Sequence, residues 1–252
     1  MKLATSALAA ALLALALAAC GEGGDGSGHD PAALEASAWI LSEGIDVDAW
    51  EQAAPSIGFD QGRVSGSNGC NSYGGSYETD GSSLSFGELA ATMKACPPPA
   101  DEVERAFMSQ LEAASEWRTE DDELILGEGD GELRFRAASP EGSWRATSLL
   151  QGDAVTGPLA GTEITAEIGD GTISGSSGCN DYSGTFETEG STVAIGPVGG
   201  TEMACTSPAG VMEQEQAYLE ALPKAAGFSL EGGNLVLLTA QGTIVATFEP
   251  TS

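Results

Sequence analysis

The sequence predicts two small domains in tandem, each built from hairpin-paired strands and one helix. Three observations carry this. A seventeen-residue stretch occurs twice, at Ser65–Gly81 (S-G-S-N-G-C-N-S-Y-G-G-S-Y-E-T-D-G) and at Ser174–Gly190 (S-G-S-S-G-C-N-D-Y-S-G-T-F-E-T-E-G), with eleven paired positions identical. A repeat at a fixed offset (174 − 65 = 109, 190 − 81 = 109) marks a duplicated structural unit. Around each copy, short alternating apolar runs are separated by turn dipeptides, which is the hairpin signal. After each copy, apolar residues recur at helical spacing behind a proline.

Composition sets the outer limits. The 252 residues suit two units of roughly 105, each able to bury one modest core and small enough to benefit from a covalent staple. Hydrophobic content of 41% excludes a disordered chain. There are 38 acidic and 9 basic residues, net −29, so the surface repels nucleic acid and favours solubility. Such a surface fits a salt-adapted or envelope protein, and self-repulsion should weaken it at low ionic strength. No D-x-[DN]-x-[DN]-G calcium loop occurs.

Residues 1–19 read as a signal peptide: Lys2, then an apolar run from Ala7 to Ala19 too short to span a membrane with proper flanks. The run ends Leu17-Ala18-Ala19-Cys20, which resembles a bacterial lipobox. That resemblance implies cleavage before Cys20 and acylation of its sulfur, and two or three acyl chains anchor stably where one does not. Loss of Lys2 would leave a mature net charge of −29 − 1 = −30. Residues 20–33 form the acylated cysteine and a flexible glycine-rich tether. The single histidine, His29, lies in it and is not expected to be catalytic.

The first domain, 34–138, opens around Trp39. A hairpin turns at Asp60-Gln61-Gly62, the repeated stretch forms a strand from Tyr73 to Thr79, and Asp80-Gly81 turns it back through Leu84-Ser85-Phe86. Asn71 suits an Asx-type turn beside the glycines. Thr92-Met93-Lys94-Ala95-Cys96 and three prolines precede a helix with Val103, Phe107, Leu111 and Ala114 inward and acids in its first turn. A hairpin, Leu124–Leu126 with Leu133–Phe135, closes the domain. Residues 139–142 are a linker so short that the domains should touch or stay close. The second domain, 143–252, repeats the order. Trp144 stands for Trp39, and Cys179-Asn180-x-Tyr182 for Cys70-Asn71-x-Tyr73. Thr201–Cys205 stands for Thr92–Cys96, and a helix carrying Val211, Tyr218 and Leu222 ends at Pro223.

Cys70 and Cys96, like Cys179 and Cys205, are 26 residues apart. Four cysteines allow three connectivities. A duplicated unit carrying its own pair favours bonding within each repeat, and an exported chain meets oxidising conditions. Such a loop closure is worth roughly 3–4 kcal/mol in the chain-entropy account. Neither domain holds a histidine, which argues against a zinc site and against a cysteine nucleophile with a histidine base.

G-C-N-x-Y, T-x-x-A-C with prolines, a helix reading Glu104-x-x-Phe107-x-x-x-Leu111 or Glu215-x-x-Tyr218-x-x-x-Leu222, and an L-x-L closing strand resemble the META/HslJ domain. The resemblance covers Trp39 to Phe248 as two tandem copies. It implies an α+β fold: in each domain a strongly curved antiparallel β-sheet, a partial barrel, with one packed helix. It also implies a bacterial envelope location, loose links to stress or antibiotic tolerance, and no established catalytic activity or cofactor. One internal departure is that Met93-Lys94 in the first copy becomes Glu202-Met203 in the second, which shifts the methionine by one position.

No phosphate-binding loop, nucleophile elbow, H-E-x-x-H or dinucleotide fingerprint is present. Asn71, Tyr73, Asn180 and Tyr182 recur in both copies. They read either as turn and core residues or as a small recognition surface beside the disulfide. Glu78 and Glu187 are shared acids, read as solvent-facing strand positions. The expectation is therefore a non-enzymatic lipoprotein with no cofactor or metal, held to the extracytoplasmic side of a bacterial membrane through Cys20. Its two domains would bind an envelope protein, peptide or glycan in envelope maintenance or stress tolerance. A carboxylate-based cell-wall glycan hydrolase, or a passive spacer or inhibitor module, is the alternative.

Overall fold

A computed structural model describes residues 28–48 and 50–251; the expected signal peptide, the expected acylation site Cys20 and the expected tether up to residue 27 lie outside the described residues. In the first domain the strands are β1 (Ser37–Glu43), β2 (Ser56–Asp60), β3 (Arg63–Ser67), β4 (Ser72–Asp80), β5 (Ser83–Phe86), the short β6 (Ala90–Ala91), β7 (Trp117–Glu120), β8 (Glu123–Leu126) and β9 (Leu133–Ala137). Helix α1 (Ala100–Ala113) lies between β6 and β7. The second domain has β10 (Gly142–Gln151), β11 (Ala154–Thr156), β12 (Thr165–Gly169), β13 (Thr172–Ser176), β14 (Asp181–Glu189), β15 (Thr192–Ile195) and β16 (Gly199–Gly200). Helix α2 (Val211–Ala221), β17 (Ala225–Glu231), β18 (Asn234–Thr239) and β19 (Ile244–Pro250) complete it.

The sheets go beyond the expected curvature and close. In the first domain the order is β5-β4-β3-β2-β1-β9-β8-β7, all antiparallel. Its two ends meet through a bridge between Ser83 and Glu116, with Leu84 N–H donating to Ser115 O (2.8 Å) and Trp117 N–H to Ser82 O (2.9 Å). In the second domain β10-β12-β13-β14-β15-β17-β18-β19 returns to β10. Eight strands give an interior just wide enough for side chains to fill. Strand alternation supplies them: Trp39, Leu41, Ile57, Phe59, Val64 and Phe135 in the first barrel are all buried. The expected turns fall in place at Gln61-Gly62 and Gly81, with Gly62 and Gly81 at positive φ. The sequence reading passed over β7, β11 and β17.

Each helix contributes its inner face to its barrel. Val103, Phe107 and Leu111 are fully buried, with Phe107 between Tyr73 (ring centroids 5.9 Å apart) and Phe135 (6.3 Å). Tyr218 and Leu222 do the same in the second domain. Fully burying one such side chain is worth about 1.5–3 kcal/mol.

The domain begins earlier than position 34. Gly28 pairs with Thr119 of β7, His29 sits edge-on to Trp117, and Leu34 is fully buried. Residues 28–33 are thus docked, and the flexible-tether reading does not hold for them. Paired backbone and a buried leucine outweigh the glycine-rich composition that suggested it.

The two barrels touch. Ile40 and Ala138 pack against the second core, Ser56 Oγ donates to Leu230 O (2.7 Å), and Ser191 N–H donates to Ala36 O (2.6 Å). Among the described residues no helix is long and apolar enough to cross a membrane.

Candidate functional site

The repeated stretch makes a tight turn between β3 and β4. Asn68 N–H donates to Asn71 O (2.9 Å), and Asn68 Oδ1 accepts from Cys70 N–H (3.1 Å) and Asn71 N–H (2.7 Å). The Asx-type bonding therefore belongs to Asn68 rather than to Asn71. Gly69 is required here: its φ is +96°, and a Cβ would lie 2.9 Å from Val103 Cγ1 and 3.0 Å from Ala53 Cβ.

Asn71 points away from its own turn and joins three segments. Its Oδ1 accepts from Thr92 Oγ1 (2.8 Å) and Lys94 N–H (2.7 Å), and its Nδ2 donates to Glu104 Oε1 on α1 (3.1 Å). The second copy repeats the set. Asn180 Oδ1 accepts from Thr201 Oγ1 and Met203 N–H (both 2.7 Å), and Nδ2 donates to Met203 O (3.1 Å) and Glu215 Oε1 (2.8 Å). Beside each asparagine a disulfide ties the same loop to the same turn: Cys70–Cys96 and Cys179–Cys205, with Cα separations of 5.9 and 6.0 Å. The within-repeat pairing is the one the spacing favoured.

The copies differ in one linkage. Ser177 replaces Asn68 and is too short to span the turn in the same way. Glu215 Oε2 takes over, accepting from Ser177 Oγ and directly from Asn180 N–H (2.8 Å). Burial pushes the Glu215 pKa up, but the bonds from Ser177, the Asn180 amide and the backbone N–H groups of Asn180 and Cys179 outweigh burial and leave it below its ordinary value. A carboxylate so held is a weak base, poorly matched to proton transfer near neutral pH.

Asn71, Tyr73, Asn180 and Tyr182 are 3%, 4%, 2% and 3% exposed. They form no recognition surface, which corrects that reading. Tyr73 donates to Ser56 O (3.0 Å), and Tyr182 bonds Thr165 O (2.9 Å) and the Tyr218 hydroxyl (2.7 Å). Burial raises the pKa of all three phenols. Their polar atoms are consumed by the framework because a buried hydroxyl or amide must find a partner.

Glu78 and Glu187 are exposed, on the outer faces of β4 and β14 in separate barrels. Met93 and Met203 are 97% and 56% exposed, so the one-position shift leaves both methionines outside. Sequence reasoning missed Glu104 and Glu215 as network members, assigning Glu104 to the helix dipole. Their recurrence in both helix motifs was the available signal. Among the described residues no three of His, Cys, Asp and Glu gather as a metal-ligand group.

Comparison with known proteins agrees with the duplication. The META domain family matches residues 32–140 and again 136–252. An NMR structure of a protein from Burkholderia xenovorans is 28% identical, covering 44% of this chain and 90% of its own, with a TM-score of 0.36. A second NMR structure is 22% identical, covering 42% of this chain and 93% of its own, with a TM-score of 0.35. No curated protein matches the chain. With both matches lying over the two closed barrels, the chain belongs to the META domain family and carries the domain twice.

Proposed function

We propose that this protein is a non-enzymatic cell-envelope lipoprotein whose two META domains act as a binding or adaptor module in envelope maintenance or stress tolerance. The observation that carries the reading is the fate of the repeated polar residues. In both copies the asparagine and the tyrosine are buried, the asparagine side chain is spent on joining a threonine-bearing loop to a glutamate of the helix, and the tyrosine hydroxyl is spent on a strand carbonyl. What the chain offers to other molecules is the outside of two rigid barrels and the seam between them. Paired domains suit avidity or bridging of two partners. Two disulfides suit an oxidising, extracytoplasmic address.

Anchoring through Cys20 completes the proposal. Only eight residue steps lead from Cys20 to the docked Gly28 (28 − 20 = 8). Fully extended they span at most about 29 Å, so the first barrel would ride close to the membrane. Mass spectrometry of the mature amino terminus should find Cys20 acylated, and Cys20→Ser should release the protein from the membrane fraction. Crosslinking in intact cells should then recover an envelope component with the anchored protein. An unmodified Cys20, or no crosslinked component from the membrane-bound form, would count against the proposal.

A further inference from the structure

The described residues include Met93, Met108, Met203 and Met212, and the fold divides them into two pairs. Three large apolar side chains are exposed among those residues: Met93 (97%), Met203 (56%) and Val155 (42%). Two of the three are thus methionine, and both stand in the loop that leads to a helix, from β6 to α1 or from β16 to α2. The other two methionines are covered. Met108 packs against the first core. Met212 is half-buried, and its Sδ accepts from Cys205 N–H (3.4 Å). Cys70, Cys96, Cys179 and Cys205 are all in disulfides, so these thioethers are the unoxidised sulfur of the described residues.

Three observations separate the exposed pair from a structural or docking role. The two are one position out of register: Thr92 corresponds to Thr201, so Met93 stands opposite Glu202 and Met203 opposite Lys94. A packing role would fix the position, whereas here only the exposure is kept. Neither gathers an apolar patch. Thr92, Lys94 and Ala95 are exposed beside Met93, and Thr201, Glu202 and Ala204 beside Met203, while an apolar docking surface needs contiguous area. The loops are also held without the thioethers. Lys94 N–H donates to Asn71 Oδ1 and Met203 N–H to Asn180 Oδ1 (both 2.7 Å), and the disulfides pin the same segments.

We infer that Met93 and Met203 are oxidation sites, which take up oxygen from peroxides while the fold stays intact. The sulfur lone pair attacks one oxygen of hydrogen peroxide. The S–O bond forms as the O–O bond breaks, and the other oxygen leaves as water. The thioether loses two electrons and the peroxide gains them. Sulfoxide is the rung of this ladder that reductases reverse, a thiol pair becoming a disulfide as the oxygen leaves as water. The change turns an apolar side chain polar and disrupts packing wherever the methionine is covered. On Met93 and Met203 the new oxygen meets water; on Met108 it would meet the first core. The two loops therefore consume oxidant where it does no damage. This inference goes beyond the binding-module reading and does not rest on it.

The test is oxidation of the whole two-domain protein, disulfides intact, with hydrogen peroxide at neutral pH, followed over time by peptide mass mapping. Met93 should gain one oxygen about tenfold or more faster than Met108, the factor that a local opening of about 1.4 kcal/mol imposes on a covered sulfur. Met203 should follow Met93 and precede both Met108 and Met212. With both exposed sites converted, the melting temperature should fall by less than about 4 °C. In the double variant Met93→Leu, Met203→Leu the fast phase of oxygen uptake should vanish, and a thermal melt checks its fold. Comparable rates at all four methionines overturn the inference, as does Met108 or Met212 reacting ahead of either exposed one. A larger fall in melting temperature, or a fast phase that persists in the double variant, overturns it too. None of these readouts involves acylation or crosslinking, so a failure here leaves the envelope reading standing.

Discussion

Gly81 and Gly190 occupy the same place in the two repeats (190 − 81 = 109) and share a left-handed backbone, with φ of +61° and +57°. They differ in what a side chain there would meet. A Cβ on Gly81 would meet nothing within 4 Å, whereas a Cβ on Gly190 would sit 2.1 Å from Ala36 O in the other domain. Gly81→Ala should therefore cost only the left-handed penalty for a residue with a side chain, about 1–2 kcal/mol. Gly190→Ala carries the same penalty and also pushes apart the Ser191–Ala36 contact, whose hydrogen bond contributes about 1 kcal/mol. The sum is roughly 2–3 kcal/mol. For domains of this size about 1 kcal/mol moves the melting temperature by some 4 °C. Calorimetry should then show a drop of about 4–8 °C for Gly81→Ala and about 8–12 °C for Gly190→Ala. Amide exchange at Ser191 should accelerate only in the second variant. Losses equal within about 0.5 kcal/mol, with Ser191 protection unchanged, would refute the seam contact.

Removing the hub should be expensive in either copy. Asn180→Ala deletes a bond to a carboxylate, worth about 1.5–3 kcal/mol, and bonds to an exposed loop that water partly replaces, so roughly 3 kcal/mol in urea unfolding. Because the disulfide pins the same loop, the loss should not add simply to that of removing Cys179–Cys205. A double-mutant cycle reporting strict additivity would separate the two devices. Glu215 predicts a pH dependence. Its folded pKa lies below its unfolded value, so its stabilisation is fully present above about pH 4.3, the usual glutamate value. It is lost as pH falls through the folded pKa. Unfolding measured from neutral to acidic pH should show the second domain's acid sensitivity reduced in Glu215→Gln; an unchanged acid limb would place the titrating group elsewhere.

Much of this molecule was legible in its sequence. The 109-residue offset counted the domains, the turn dipeptides placed the hairpins, and the helices began behind their prolines, because these features are written in local spacing. Equal 26-residue cysteine separations favoured the pairing that forms. What local spacing could not convey was where a polar side chain points. Asn71 and Asn180 looked like turn-formers or surface groups. They are buried hubs because the helix brings a glutamate to within hydrogen-bond reach from 33 and 35 residues away.

Ring closure, too, depends on strands far apart in the chain. β7 and β17 were passed over, and without them neither barrel joins its ends. The docking of Gly28 and Leu34 was hidden by a composition that also suits a free tether. By itself the sequence determined the repeat, the element order and the staple, since each is set by neighbours along the backbone. Only the tertiary structure decided that the repeated stretch is framework, and that the two barrels meet through Ser56–Leu230 and Ala36–Ser191. Partners for buried polar groups and contacts across a seam come from residues that meet only when both barrels have closed and touched.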